Sequence, residues 1–129
     1  MIVVDTSVWV DFFRRRETLQ TVKLRSLIGR GLILVGDVVL LEVLQGVRDE
    51  AEAARVEQIL RVHAVEAMLT PALAPLVAAN DRALRAKGIT VRKTIDMMIG
   101  TFCITGGHVL LHADRDFEPM REHLGLHVF

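Results

Sequence analysis

The 129-residue chain has one cysteine, Cys103, and no net charge, because 16 basic side chains balance 16 acidic ones. A single cysteine forms no internal disulfide, and the apolar neighbours of Cys103 predict a buried thiol in a reducing cytoplasm. Zinc sites built from several cysteines are excluded as well. The balanced charge lacks the basic excess that is usual in nucleic-acid-binding proteins, so by itself it argues against such a partner.

The sequence also lacks a long apolar run. Its longest stretch without a formal charge, Met97 to Ala113, contains a glycine pair and two histidines. It is shorter than the roughly 20 residues of a membrane-spanning helix. No basic region precedes the first apolar residues, so we expect no cleaved signal peptide. The composition, 51% hydrophobic, predicts one folded domain over residues 1–129.

Short apolar runs alternate with stretches of helical periodicity. The runs predict strands at residues 2–4, 32–35, 64–65, 109–111 and 126–129. Helices are predicted at 37–45 with Asp37 as cap, at 49–63, at 70–87 opening at Thr70, and at 94–107. A further amphipathic helix between Arg14 and Gly31 would use Leu19, Val22, Leu27 and Ile28 as its apolar face. This alternation predicts a three-layer α/β fold with a mostly parallel central sheet.

Several acidic residues lie inside or directly after the most apolar segments: Asp5, Glu42, Asp96, Asp114 and Asp116. An unpaired carboxylate removed from water costs several kcal/mol, so each is protonated, paired, capping a helix or bound to a cation. Taken singly, Asp5, Asp114 and Asp116 fit helix caps, and Asp96 fits an ion pair with Arg92 or Lys93. Glu42 is harder to explain this way, because no basic residue lies between Gly31 and Val47.

The predicted topology brings these acids together. Asp5 and Asp114 follow strands, and ligands of parallel α/β sheets bind beyond the carboxyl ends of the strands. Glu42 and Asp96 lie early in helices that can open on the same rim. Clustered carboxylates raise one another's pKa unless a cation neutralises them, and all-oxygen ligation favours Mg²⁺ or Mn²⁺. Such an ion activates water for phosphodiester hydrolysis, so the joint placement favours a metal-dependent nuclease site.

The order of these motifs resembles a known family. The chain opens with VVDTSVWVDFF at residues 3–13, has the isolated Glu42, continues with DMMIG at 96–100 and closes with LLHADRDF at 110–117. This pattern is similar to PIN-domain ribonucleases, above all to VapC-type toxins of toxin–antitoxin modules. It spans the whole chain in order.

The resemblance implies an RNA endonuclease that uses Mg²⁺ or Mn²⁺, with Asp5, Glu42, Asp96 and Asp114 as its acidic quartet. Asp116 matches a further acid near the metal, and Ser7 matches a hydroxyl that supports the first aspartate. A cognate VapB-type antitoxin and a homodimer are implied as well. At His112 the sequence departs from the pattern, since many members carry threonine or serine two residues before the aspartate.

Basic residues without an intervening acid precede Asp96: Arg82, Arg85, Lys87, Arg92 and Lys93. They are candidates for guiding RNA phosphates toward the metal, or else form a solvated helix end. Two other functions remain open. A phosphoacceptor signalling domain is disfavoured, because no lysine follows Lys93. A non-catalytic RNA- or partner-binding module would bind RNA without turnover.

Overall fold

Five short strands alternate with seven α-helices in the computed structural model, which describes residues 1–129. The strands are β1 (Ile2–Val4), β2 (Ile33–Gly36), β3 (Ala64–Glu66), β4 (Val109–Leu111) and β5 (His127–Val128). The helices are α1 (Thr6–Phe13), α2 (Leu19–Leu27), α3 (Asp37–Gln45), α4 (Glu50–Arg61), α5 (Ala74–Ala86), α6 (Thr94–Gly106) and α7 (Glu118–His123). A 3-10 turn, Arg115–Phe117, lies between β4 and α7.

The strands form one parallel sheet in the order β3-β2-β1-β4-β5. Val3 in the central strand lies opposite Leu34 of β2 and Leu110 of β4. From β1 the chain first builds toward β3 and later returns to build toward β5, so the strand order reverses between β1 and β4. Ligand sites of such sheets lie at this reversal, beyond the carboxyl ends of the strands.

The helices form two groups that cover opposite faces of the sheet. Helices α1 to α4 contact one another, and α5 contacts α6 and α7. From β1 to β3 each new strand is added on one side of the sheet, and from β3 to β5 the chain moves in the opposite direction. Because the crossovers between parallel strands are right-handed, this change of direction places the two groups of helices on opposite faces. Cys103 is fully buried in the apolar core, as the sequence predicts, and Trp9 is fully buried as well. The three-layer α/β prediction is confirmed, and none of the helices has the length and hydropathy of a membrane span.

Two predicted helix starts are wrong. Gly36, not Asp37, caps α3, and the Asp37 carboxylate instead accepts hydrogen bonds from the amides of Val38 and Met68. Thr70 does not cap α5. Its hydroxyl accepts from the Leu73 amide, which closes a separate turn before the helix begins. In both places a side-chain hydrogen bond competes with the expected capping geometry.

The predicted apolar face of α2 is also wrong in part. Thr18 caps this helix in a reciprocal capping box with Thr21, and Thr21 itself is buried. Leu24 and Leu27 are buried, whereas Leu19 is 66% exposed and Val22 is 47% exposed. Ile28 is exposed as well, so of the four residues expected on the apolar face only Leu27 is buried.

Candidate metal centre

Asp5 lies where β1 ends and α1 begins. Its backbone amide donates to the Leu111 carbonyl of β4 at 2.9 Å. Its carboxylate caps α1, because Oδ2 accepts from the Ser7 amide at 3.0 Å and from the Ser7 hydroxyl at 2.5 Å. The residue is only 4% exposed. The cap predicted from the sequence is therefore present, at a carboxylate buried at the reversal of strand order.

Ser7 connects the two strand ends. Its Oγ donates to Asp5 and accepts from the Ala113 amide, 3.1 Å away and 106 positions later in the chain. The hydroxyl thus bridges the first turn of α1 and the segment that follows β4. The hydrogen bond that the family resemblance implies between Ser7 and the first aspartate is present.

Three carboxylates meet beside this bridge. Asp96 in the first turn of α6, together with Asp114 and Asp116 after β4, places one oxygen per residue within 4.8 Å of the others. Asp114 caps the 3-10 turn, and its Oδ1 accepts from the Asp116 amide at 2.9 Å. Asp96 is 5% exposed, and its Oδ2 is buried without a hydrogen-bond partner.

The electrostatics of the cluster follow from burial and like charge. Burial, together with the charges of Asp5, Asp114 and Asp116, raises the pKa of Asp96 to about 7, although Lys93 acts in the opposite direction. Burial also raises the pKa of Asp5, although its hydrogen bonds from Ser7 lower it. No basic side chain forms an ion pair with Asp96, so the predicted alternative of a salt bridge to Arg92 or Lys93 is wrong.

These features fit a divalent cation. The buried Oδ2 of Asp96 accepts no hydrogen bond, and two further carboxylates lie beside it. The three carboxylates therefore lack a positive charge that would keep all of them ionised. Hard cations with oxygen ligands supply such a charge. Two cavities, of about 320 Å³ beside α1 and α3 and of about 380 Å³ between α5 and α6, include no residue of the cluster.

Glu42 lies next to this group, outside the three clustered carboxylates. It is half-buried on α3, and its Oε1 accepts from the Thr6 hydroxyl at 2.6 Å. Its charge raises the pKa of Asp5, so the two carboxylates are neighbours. Thr6 is not among the site residues predicted from the sequence. The available signal was a second hydroxyl directly after Asp5, in the first turn of the same helix.

The five basic candidates are all exposed: Arg82, Arg85, Lys87, Arg92 and Lys93. Arg85 forms an ion pair with Asp81 at 3.0 Å, and Asp81 directly precedes Arg82, the first residue of the basic set. Lys93 occupies the N-cap position of α6 without a side-chain capping bond, and its charge lowers the pKa of Asp96. Of this set, Lys93 is therefore placed to act on the carboxylate cluster.

His112 reaches into the same site from the end of β4. Its Nδ1 accepts a hydrogen bond from the Asp114 amide at 3.2 Å, and its Nε2 is buried without a partner, 3.8 Å from Glu118 Oε1. Burial lowers the pKa of His112, although the charges of Asp5 and Glu118 oppose this. His112, which replaces the threonine or serine of the family pattern, thus accepts a hydrogen bond from the backbone of Asp114, one of the clustered aspartates.

Residues 2–122 match a family model described as the PIN domain. VapC ribonuclease Mb1587 of Mycobacterium bovis and Ribonuclease VapC11 of Mycobacterium tuberculosis are each 30% identical to the chain over 122 residues. That alignment covers 92% of this chain and 90% of each relative.

Solved structures show the same fold. The crystal structure of VapBC2 from Rickettsia felis bound to a DNA fragment from their promoter matches with a TM-score of 0.78 at 15% identity, covering 100% of this chain and 98% of that one. FitAcB from Neisseria gonorrhoeae gives a TM-score of 0.77 at 17% identity, covering 100% of this chain and 96% of that one. The chain therefore belongs to the PIN-domain family, and within it to the VapC ribonucleases.

Proposed function

We propose that residues 1–129 form one nuclease domain that cuts RNA internally with Mg²⁺ or Mn²⁺ and acts as the toxin of a toxin–antitoxin module. The observation that carries the proposal is the partnerless, buried Oδ2 of Asp96 beside Asp114 and Asp116, in a chain of the VapC family. A bound divalent cation would neutralise this group. An RNA substrate and the reduced, buried thiol of Cys103 both fit the cytoplasm.

In this proposal Asp96, Asp114 and Asp116 hold the cation directly, since their oxygens lie within 4.8 Å of one another. Asp5 and Glu42 complete the acidic site, since the charge of Asp5 acts on Asp96 and that of Glu42 on Asp5. An all-oxygen set selects Mg²⁺ or Mn²⁺ over zinc. The chemistry that such an ion supplies is activation of water and neutralisation of charge on the phosphodiester.

The chain's own residues prepare the site for that chemistry. Ser7 orients the Asp5 carboxylate by two hydrogen bonds and connects it to the segment that carries Asp114. Asp96 reaches its ionised, ligating form most readily when positive charge is nearby, and Lys93 contributes part of that charge. The exposed basic residues between Arg82 and Lys93 attract the RNA backbone toward the clustered carboxylates.

Partners follow from the structural neighbours. The similar structures include VapBC complexes from Rickettsia felis and from nontypeable Haemophilus influenzae, with TM-scores of 0.78 and 0.73. By extension, we propose that this chain pairs with a cognate VapB-type antitoxin that blocks the metal centre, and that it forms a homodimer.

The test is cleavage of a structured, end-labelled RNA by the purified protein with Mg²⁺ or Mn²⁺. Cleavage is expected to stop with chelator and in Asp5→Asn, whereas the exposed α4 variant Glu57→Gln should match the wild type. Cleavage that persists in chelator would overturn the metal mechanism. RNA binding without cleavage in any divalent ion would instead support the alternative, a non-catalytic RNA- or partner-binding module.

A further inference from the structure

The chain leaves β4 through two successive backbone amides that both donate to side chains. The Ala113 amide donates to Ser7 Oγ at 3.1 Å, and the Asp114 amide donates to His112 Nδ1 at 3.2 Å. Both acceptors lie at the metal centre. The path of the backbone into Asp114 is thus determined by side-chain hydrogen bonds.

The bond to His112 affects two of the clustered acids. Asp114 has an extended backbone, with φ −122° and ψ 123°, and caps the 3-10 turn. Its Oδ1 accepts from the Asp116 amide at 2.9 Å, so the orientation of Asp114 also sets the start of the turn that carries Asp116. A rotation of the Asp114 peptide would move both carboxylates relative to Asp96.

The imidazole itself is held in place. Its side chain is 8% exposed, and its ring packs against Phe117 with a centroid distance of 5.0 Å. Because Nδ1 accepts a hydrogen bond it carries no proton, so the proton of the neutral ring lies on Nε2, the atom nearest Glu118 Oε1. Packing and tautomer together present a fixed acceptor to the Asp114 amide.

We infer that His112 is a positioning residue of the metal centre: its Nδ1 holds the Asp114 amide and thereby orients the carboxylates of Asp114 and Asp116 for the cation. The inference rests on the proposed function and assigns to a histidine the place where the family pattern has a threonine or serine. Partners that orient metal ligands typically change metal affinity or activity by about 10- to 100-fold when they are removed.

A matched pair of substitutions separates the two ring nitrogens. In His112→Asn the amide oxygen can occupy the place of Nδ1, whereas in His112→Gln it reaches only the place of Nε2. We expect His112→Asn to keep the Mn²⁺ affinity within about threefold and His112→Gln to weaken it by about tenfold or more, in titration calorimetry. With RNA, the loss in His112→Gln is expected in kcat at saturating RNA, since RNA contacts are unchanged.

Hydrogen exchange of the Asp114 amide tests the bond without metal. Protection should persist in His112→Asn and fall in His112→Gln, with melting in chelator showing that both variants fold. If either fails to fold, the isosteric pair His112→Thr and His112→Val replaces it, and only threonine should restore Mn²⁺ affinity and protection.

Equal Mn²⁺ affinity and equal Asp114 protection in the two members of a pair would overturn the inference and leave the proposed function intact. A wild-type protein that neither binds Mn²⁺ nor cuts RNA would overturn the proposed function, and with it the metal-positioning role of His112. Loss of protection without any change in Mn²⁺ affinity would also overturn that role, because the bond would then be structural only.

Discussion

Asp96 is the residue at which burial and like charge act together. Its carboxylate is almost fully removed from water, and its Oδ2 has no donor, while Asp5 and Asp114 add negative charge nearby. The ionised form is therefore unfavourable in the folded chain until a cation binds. Without metal, this residue is expected to lower the stability of the fold.

The pH dependence of stability in chelator should reveal this effect. The pKa of Asp96 is raised from its ordinary value of 3.8 to about 7 in the folded chain. Between these two pH values the folded chain therefore binds more protons than the unfolded chain. The free energy of unfolding therefore falls as pH rises through that window. About three pKa units correspond to a loss on the order of 4 kcal/mol.

Urea unfolding of wild type and Asp96→Asn in EDTA, from pH 4.5 to 8, isolates this contribution. The free energy of unfolding of Asp96→Asn should exceed that of the wild type by an amount that grows with pH. In thermal unfolding at pH 8, the variant should melt about 5 °C or more above the wild type. Added Mg²⁺ should stabilise only the wild type. Parallel pH curves, or equal Mg²⁺ responses, would contradict the role of Asp96 as an ionised ligand.

Ser7 is expected to be important for folding as well as for the site. Ser7→Ala removes a donor to the buried Asp5 carboxylate and an acceptor for the Ala113 amide. The expected loss is about 1–3 kcal/mol in the free energy of unfolding, measured with urea. The control is Ser26→Ala, whose exposed hydroxyl bonds to the Lys23 carbonyl and should matter by less than about 0.5 kcal/mol. Similar losses in both variants would contradict this assignment.

Between elements, a close contact joins α6, which carries Asp96, to α7, which follows Asp116. Gly100 lies in the same helix as Asp96, and Met120 lies in the helix that follows Asp116. A Cβ on Gly100 would lie 2.2 Å from Met120 Sδ, a side chain with no exposed surface. The absence of a side chain at Gly100 therefore allows the segment after β4 to approach α6.

Gly100→Ala is expected to destabilise the protein by about 1–3 kcal/mol, although alanine favours helix by about 1 kcal/mol. In a Met120→Ala background the clash is gone, so the same substitution should be neutral or stabilising. Thermal unfolding of the four proteins gives the coupling energy. Equal effects of Gly100→Ala in the two backgrounds would show that this contact does not set the packing.

The element predictions succeed and fail for identifiable reasons. Strands β1 and β4 have the predicted bounds, because their short apolar runs end abruptly at polar residues. The helix predicted from residue 49 is also confirmed: α4 begins at Glu50, and the structure adds that the Asp49 carboxylate caps it by accepting from the Glu52 amide. The predictions fail at Asp37 and Thr70, where the bonds to Met68 and Leu73 compete with a helix cap. Such local competition is not visible in hydrophobic periodicity.

At the scale of the whole molecule, the zero net charge conceals an uneven distribution. If the five acids of the proposed site are set apart, 16 acidic residues minus 5 leave 11, against 16 basic residues elsewhere. A bound divalent cation would then move the site itself toward neutrality. A balanced total is therefore compatible with an RNA substrate, and the expectation drawn from net charge alone does not stand.

The proposed RNA-guiding surface makes a prediction about salt. Arg82 and Arg92 are exposed and pair with no carboxylate, so replacing both with glutamine should weaken binding of labelled single-stranded RNA in chelator. The slope of log affinity against log salt should become shallower by about 0.7 for each phosphate that the variant no longer neutralises. The control with the same change in charge is Arg55→Gln with Arg61→Gln on α4, which should weaken binding less. Equal losses of RNA affinity in the two double variants would show that binding depends on overall charge rather than on this surface.

The alternation of strands and helices, the family motifs and the set of acids in apolar surroundings are all readable in the sequence, because local periodicity shows which residues leave water. The tertiary structure decided which carboxylates share one point and which group each side chain contacts. Thr6 and Glu42 are 36 positions apart, and Ser7 and Ala113 are 106 apart, yet each pair forms a hydrogen bond. Such bonds require the donor within about 3 Å of its acceptor, and that distance is set by how strands and helices pack.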